Sequence, residues 1–179
     1  MILQVDVGNS FLKWRILDAG KVVSHGREQT SAEVMMEGVS VWHEIRSVFV
    51  ASVASIDVDS RLREVFRAKL PLLNPEFVTS QVAFGCVLNA YEDPLQLGVD
   101  RWLALIAGYS KYRESCFVVD CGSAITVDVV DSKGRHGGGY ILPGLGLMRQ
   151  GLEVGTRRVK FDRLDNVGIE YGVTTSGCV

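Results

Sequence analysis

Two short stretches of this chain carry the same chemistry. "VDVGNS" holds Asp6, Gly8, Asn9 and Ser10, and "VDCGSA" holds Asp120, Gly122, Ser123 and Ala124. In each, an aspartate ends an apolar run and a glycine follows two residues later. Glycine lets backbone N–H groups come close to an anion. The Asn9 amide and Ser10 hydroxyl add donors, and an aspartate at such a strand end can hold Mg2+ through water, because that ion keeps much of its hydration shell. A single D-x-G is ordinary turn chemistry. Here the two copies run in register at an offset of 114 positions, which also sets Ile16 on Val130, Gly20 on Gly134 and Lys21 on Arg135. Two such turns, one per lobe and facing each other across a cleft, would grip a nucleotide's phosphates from both sides.

Further candidates stand near these turns or between them. Lys13 lies three residues past Ser10, where strand alternation groups it with Phe11 and Arg15, away from Leu12 and Trp14. It can reach phosphate from there, or be a plain exposed lysine. Asp100 and Arg101 stand in "GVDRW", at the start of a helix predicted over 100–113. A helix N-terminus favours negative charge, and a carboxylate there can accept a proton from an attacking hydroxyl; an N-cap alone needs no such role. The Arg101 guanidinium suits two-point binding of a carboxylate, against the plain reading of a solvent-facing helix residue. "RHGGGYILPG" puts glycines before a strand and Pro143-Gly144 before a helix whose N-terminus suits a phosphate. Asp128 falls where the first copy has Trp14, a break in symmetry that hints at a function. His25, His43 and His136 have no cysteine, serine or acid at a persuasive spacing and receive no catalytic role.

The elements that must position these residues also repeat. "MILQVDVG", "FLKWRILD" and "KVVSHG" read as three strands joined by short turns. A helix over 31–45, the strand "SVFVASVA", and a helix capped by Asp59 or Ser60 with Leu62, Val65, Phe66 and Leu70 on one face follow. "PEFVTS" is a short strand. The second copy runs through strands "CFVVDCG" and "AITVDVVD", the turn "DSKGR", strand "GGYILPG" and a helix from about Leu145. Alternating strands and helices point to an α/β fold. The second copy is shorter than the first, since Val179 maps onto Val65, inside the first copy's second helix. The last residues, "YGVTTSGCV", read as a helix start with Thr174 or Thr175 as N-cap. A chain of this length is therefore expected to carry a shortened second lobe with exposed edges and apolar faces.

Composition excludes several classes. Of the 179 residues 47% are hydrophobic, enough for a real core. Nineteen basic residues nearly balance 21 acidic ones with no basic run, which argues against nucleic-acid or membrane-surface partners. No apolar run approaches the roughly 20 residues a bilayer needs, and the N-terminus does not read as a signal peptide. Cys86, Cys116, Cys121 and Cys178 form no C-x-x-C pair and read as reduced thiols. A cytoplasmic protein is expected.

Four motifs in order, "DVGNS" (6–10), "LGVDRW" (97–102), "VDCGSAITVDVV" (119–130) and "GGGYILPGL" (137–145), resemble the type III pantothenate kinases. Those are bacterial enzymes of the acetate and sugar kinase/Hsp70/actin superfamily, with two ribonuclease-H-like lobes. The resemblance implies such lobes at 1–113 and, incomplete, at 114–179. It implies ATP-dependent phosphorylation of pantothenate to 4′-phosphopantothenate, the first step toward coenzyme A, in a homodimer. Asp100 would be the catalytic base. Tyr91, Gly98 and Arg101 would line the pantothenate pocket, with Thr175 supplied by the neighbouring subunit. Asp6, Gly8, Asn9, Ser10, Lys13, Gly122, Ser123 and Ala124 would meet ATP and its phosphates, Mg2+ would sit near Asp6, and a monovalent cation (K+ or NH4+) at Asp120. Family members are longer, and weakened nucleotide binding, down to loss of activity, is expected of 179 residues alone. The alternative is a non-catalytic nucleotide-binding or regulatory protein on the same scaffold; Asp100 and Arg101 side with the enzyme.

Overall fold

The computed structural model describes residues 1–30, 36–159 and 173–175. Period-two alternation builds its first hairpin. Strands β1 (Ile2–Val7) and β2 (Phe11–Asp18) pair antiparallel, with Val5 opposite Trp14 and Asp6 opposite Lys13. Leu3, Val5, Val7, Leu12, Trp14 and Ile16 are buried on one face. Phe11, Lys13 and Arg15 stay exposed on the other, as the alternation predicts. Ala19 and Gly20 both take left-handed φ (46° and 79°), the pattern of a two-residue hairpin turn, and lead into β3 (Lys21–Gln29).

Strand β4 (Ser47–Ser52) lies parallel to β1, and β5 (Glu76–Val78) parallel to β4. The sheet order is β3-β2-β1-β4-β5. Between the last two strands runs α1 (Ile56–Lys69), whose Leu62 and Phe66 are fully buried in the same core as the apolar sheet face. Each such side chain contributes roughly 1.5–3 kcal/mol. This helix starts a turn before the predicted caps. Ser55 is its N-cap, and Asp59 instead accepts the Ser52 hydroxyl at 2.5 Å, tying the helix to the end of β4.

The helix expected over 31–45 is corrected as far as it can be followed. Residues 31–35 lie outside the described ones, and 36–45 hold a single 3-10 turn at Trp42–Glu44. A glycine and β-branched Val39 and Val41 lower helix propensity there. Gly38 also lies against the Trp14 ring, where an added Cβ would come within 2.9 Å of it. Packing on the tryptophan decides this segment.

A small hairpin, β6 (Ala83–Phe84) with β7 (Val87–Leu88), and a 3-10 turn at Pro94–Gln96 precede α2 (Val99–Tyr112). Trp102, Leu105 and Tyr109 of α2 form a second core with Val87, Leu97 and Val130. Strands β8 (Cys116–Cys121), β9 (Ala124–Val130) and β10 (His136–Pro143) make a three-stranded sheet in the order β10-β9-β8, and α3 (Leu145–Gly155) follows. Two compact units result: Met1–Val118 with Asp128–Gly138, and Val119–Val127 with the described residues of Gly139–Val179. In the second unit Tyr140, Ile141, Leu145, Leu147 and Val154 are exposed. No helix of the described residues is long and apolar enough to cross a membrane. Cys86, Cys116 and Cys121 are free thiols; Cys178 lies outside the described residues.

Candidate functional site

The first unit brings several of the predicted residues to one edge of its five-stranded sheet. After β1 the chain turns through Gly8, Asn9 and Ser10, closed by Gly8 N–H donating to the Phe11 carbonyl at 3.0 Å. Thr30, buried at the end of β3, clamps this turn twice. Its hydroxyl donates to the Gly8 carbonyl (2.8 Å) and its N–H to the Ser10 carbonyl (3.1 Å). Asp6 and Lys13, register partners on the polar face, line a groove of about 1140 Å³. Arg15, His25 and Arg27 line it too, and Leu103, Ala104 and Ala107 of α2 contribute to its wall. Basic side chains therefore outnumber the one acid along it.

The start of α2 belongs to the same edge. Val53, just past β4, donates its N–H to the Val7 carbonyl at 3.0 Å, and a Cβ on Gly98 would lie 3.8 Å from the Val53 side chain. Both the Gly8 turn and the α2 start thus lie beyond the carboxyl ends of the parallel strands β1 and β4, where open α/β sheets bind ligands. Gly98, not Asp100, is the N-cap of α2. Asp100 is the second helical residue, exposed, and its Oδ1 accepts the Arg101 N–H at 2.7 Å. The missing side chain of Gly98 makes that possible, because a Cβ there would stand 2.5 Å from the same oxygen.

Arg101 does not face solvent, contrary to the plainer of its two expectations. It is 7% exposed, and its Nε and Nη2 donate to the two oxygens of Asp128 at 2.8 and 2.6 Å. Nη1 donates to the Tyr91 hydroxyl at 3.0 Å. Hydrogen bonding to the Asp128 carboxylate keeps the guanidinium charged above even its ordinary value, against the opposing effect of burial, with Tyr91 assisting. Asp128 is 2% exposed and meets a second partner, His136 Nε2, at 3.0 Å. Removing one member of such a buried pair typically costs 3–5 kcal/mol, roughly.

Asp128 and His136 are the functional candidates that sequence reasoning passed over or left without a role. A signal existed. The bond from Asp131 N–H to the Arg135 carbonyl closes the β9–β10 turn, so positions 128 and 136 share one face of the hairpin on a diagonal. Asn89 was also missed. Its side chain binds the Gln81 and Pro94 carbonyls and the Tyr91 N–H, shaping the loop that presents Tyr91.

In the second unit Gly122 N–H donates to the Ala124 carbonyl at 2.9 Å, a closure one residue tighter than that of Gly8 on Phe11. Gly144, the N-cap of α3, donates its N–H to the Ser123 carbonyl at 3.0 Å and has no room for a Cβ against the Gly122 and Ser123 carbonyls. The Pro143-Gly144 helix start therefore sits on the second turn. Asp120 lies at the end of β8 beside it. Thr175 is exposed, and 176–179 lie outside the described residues. Among the described residues no three acidic, His or Cys side chains converge. A divalent cation near Asp6 would thus take one carboxylate and fill its shell with water and phosphate oxygens, which is how Mg2+ is usually held.

Residues 2–179 match the family model described as "Type III pantothenate kinase". The type III pantothenate kinase of Hahella chejuensis is 44% identical over 158 residues, covering 88% of this chain and 65% of that protein. That of Marinobacter nauticus is 37% identical over 181 residues, covering 100% and 74%. The chain spans about two thirds of the length of the Hahella relative. Among solved structures, a conserved Campylobacter jejuni protein named for the Baf family of transcriptional activators superposes with a TM-score of 0.55 at 21% identity, over 98% of this chain and 70% of that one. That likeness concerns the fold.

Proposed function

The chain belongs to the type III pantothenate kinase family, and from that premise we propose that it transfers the γ-phosphoryl group of ATP to the 4′-hydroxyl of pantothenate. One observation carries the reading. The α2 start that holds Asp100 and Arg101 lies at the same sheet edge as the Asp6–Ser10 turn. In the reaction the 4′-oxygen attacks the γ-phosphorus in line, its proton passes to the Asp100 carboxylate, and ADP leaves. Asp100 suits this because its carboxylate is held over the helix start by the Arg101 N–H yet remains exposed. Arg101, Tyr91 and Gly98 receive pantothenate. Gly8, Asn9, Ser10 and Lys13 on one turn, and Gly122, Ser123 and Ala124 on the other, receive ATP and its phosphates. Mg2+ near Asp6 and K+ or NH4+ at Asp120 would supply neutralisation of phosphate charge. Positioning and such neutralisation outweigh the base in phosphoryl transfer.

The same reading takes 1–113 and 114–179 as two ribonuclease-H-like lobes. The succession of three strands, then strand, helix and strand in the first unit supports that for the first of them. It also makes the working protein a cytoplasmic homodimer in which Thr175 completes the neighbour's pocket.

The test is ADP release with ATP, Mg2+ and K+, with and without pantothenate, beside Asp100→Asn. That variant keeps an oxygen for the Arg101 N–H but cannot serve as base. Turnover should depend on pantothenate and fall at least about 100-fold in the variant, the usual range for a general base. ATP hydrolysis indifferent to pantothenate, or an unaffected variant, would sink the reading.

A further inference from the structure

Nothing in the kinase reading uses Asp128 or His136, yet Asp128 is buried against the arginine on which it depends and His136 is buried against Asp128. We infer that Asp128 and His136 are positioning residues that set the plane of the Arg101 guanidinium for the substrate's carboxylate, an inference that rests on the kinase reading.

An arginine has five N–H donors in one plane. Three are committed here, Nε and Nη2 to Asp128 and Nη1 to Tyr91. One N–H remains on each terminal nitrogen, and with Tyr91 taking the Nη1 hydrogen on the Cδ side these two form the parallel pair that a carboxylate accepts. Because two bonds to Asp128 and one to Tyr91 define the plane, the side chain is ordered before substrate arrives, and binding need not order it.

Asp128 is itself held. His136 Nδ1 accepts the Ala90 N–H at 3.4 Å, which leaves Nε2 to carry the proton and donate to Asp128 Oδ1 at 3.0 Å. The Tyr91 and His136 rings lie parallel within 10° at 6.1 Å. Ala90 and Tyr91 are chain neighbours, so the contacts form a closed ring through His136, Asp128, Arg101 and Tyr91. Among the described residues no buried side-chain nitrogen or oxygen lacks a partner, so each polar atom of the ring makes at least one hydrogen bond. Since Asp128 cancels the charge of Arg101, a carboxylate would be chosen by aligned N–H groups more than by net positive charge. Buried ion pairs add little stability relative to apolar packing, which leaves orientation as the gain from this one.

The discriminating measurement compares pantothenate with its primary-alcohol analogue, in which CH2OH replaces the carboxylate. Kinetics are taken for the parent, Asp128→Asn, His136→Phe and His136→Gln. Phenylalanine keeps a ring against Tyr91 but removes the donor to Asp128; glutamine keeps a donor. For Asp128→Asn and His136→Phe, the pantothenate KM should rise about tenfold or more, the worth of a misaligned charge-assisted pair. The KM for ATP should stay within about twofold and the preference for acid over alcohol should shrink by the same factor as the pantothenate KM rises. His136→Gln should recover most of that preference. A folded His136→Phe that prefers the acid as strongly as the parent overturns the positioning roles and leaves the kinase reading standing. It also decides the matter if Asp128→Asn fails to fold. A parent that does not bind pantothenate overturns the kinase reading, and the positioning roles fall with it.

Discussion

At the scale of single residues, a missing side chain matters as much as a present one. Gly98 caps α2 without a Cβ, and the space it leaves is where the Asp100 carboxylate folds onto the Arg101 amide. Gly98→Ala would press a methyl group to within 2.5 Å of Asp100 Oδ1. The carboxylate must then move, and the helix start loses its bond. The expected result is a kcat lowered by up to about 100-fold, as for misplacement of a reacting group, with stability reduced by roughly 1 kcal/mol as for a lost cap. Steady-state kinetics and urea unfolding on the same preparation would check both. An unchanged kcat would mean that the position of Asp100 is not what limits turnover. Thr30 makes a related point, because a buried hydroxyl that nothing in the sequence distinguished holds the first glycine turn shut.

Among the elements, the β9–β10 hairpin carries the most consequence, because it brings Asp128 and His136 to one face. Its turn is organised by Asp131, which accepts the N–H groups of Lys133 and Arg135, both at 2.9 Å, and the Arg135 side chain at 2.7 Å. The Arg135 N–H, together with the Arg135 side chain and the Lys133 N–H, holds the Asp131 carboxyl below its ordinary 3.8. A depressed folded value means that its stabilisation is complete above the unfolded value and is lost as pH falls through the lower, folded one. Asp131→Asn should therefore lower the unfolding midpoint at pH 7, with the gap to the parent closing below pH 3.8. Thermal melts at several pH values would show it. A gap that widened in acid would contradict the hydrogen-bond account.

For the molecule as a whole, the two halves of the repeat solve the same local problem. Each turn closes with a glycine N–H donating to a carbonyl across it, Gly8 to Phe11 and Gly122 to Ala124. Each turn is also held from outside, the first by Thr30 and the second by Gly144. If these turns receive phosphate, ligand binding must stabilise the folded protein. ATP with Mg2+ at about 100 times its Kd adds about 2.7 kcal/mol. For a chain of this size that corresponds to a rise in Tm of roughly 5–10 °C. Scanning calorimetry with ATP and without it measures this directly. No shift at saturating nucleotide would remove the phosphate role from both turns.

Much of this protein could be read from its letters. Alternation in "ILQVDV" and "FLKWRILD" assigned the buried face of the first hairpin and the exposure of Lys13, because strand side chains alternate whatever surrounds them. The twofold D-x-G placed both turns, since backbone approach there depends on local chemistry alone. The start of α2 is legible to within two residues, and the plainer of the two readings of Asp100, as N-cap, gives way to Gly98. Segment 36–45 defeated local reasoning because the Trp14 ring, a neighbour remote in sequence, decides its conformation. Asp128 is marked in the sequence only by a break in symmetry and His136 by nothing, for the same kind of reason. The role proposed for them depends on an arginine 27 residues from Asp128 in sequence and 2.6 Å away in space. Local patterns determine which strands and turns form, because they depend on neighbours along the chain; the partner of a buried charge is chosen by packing, and only the folded structure decided it.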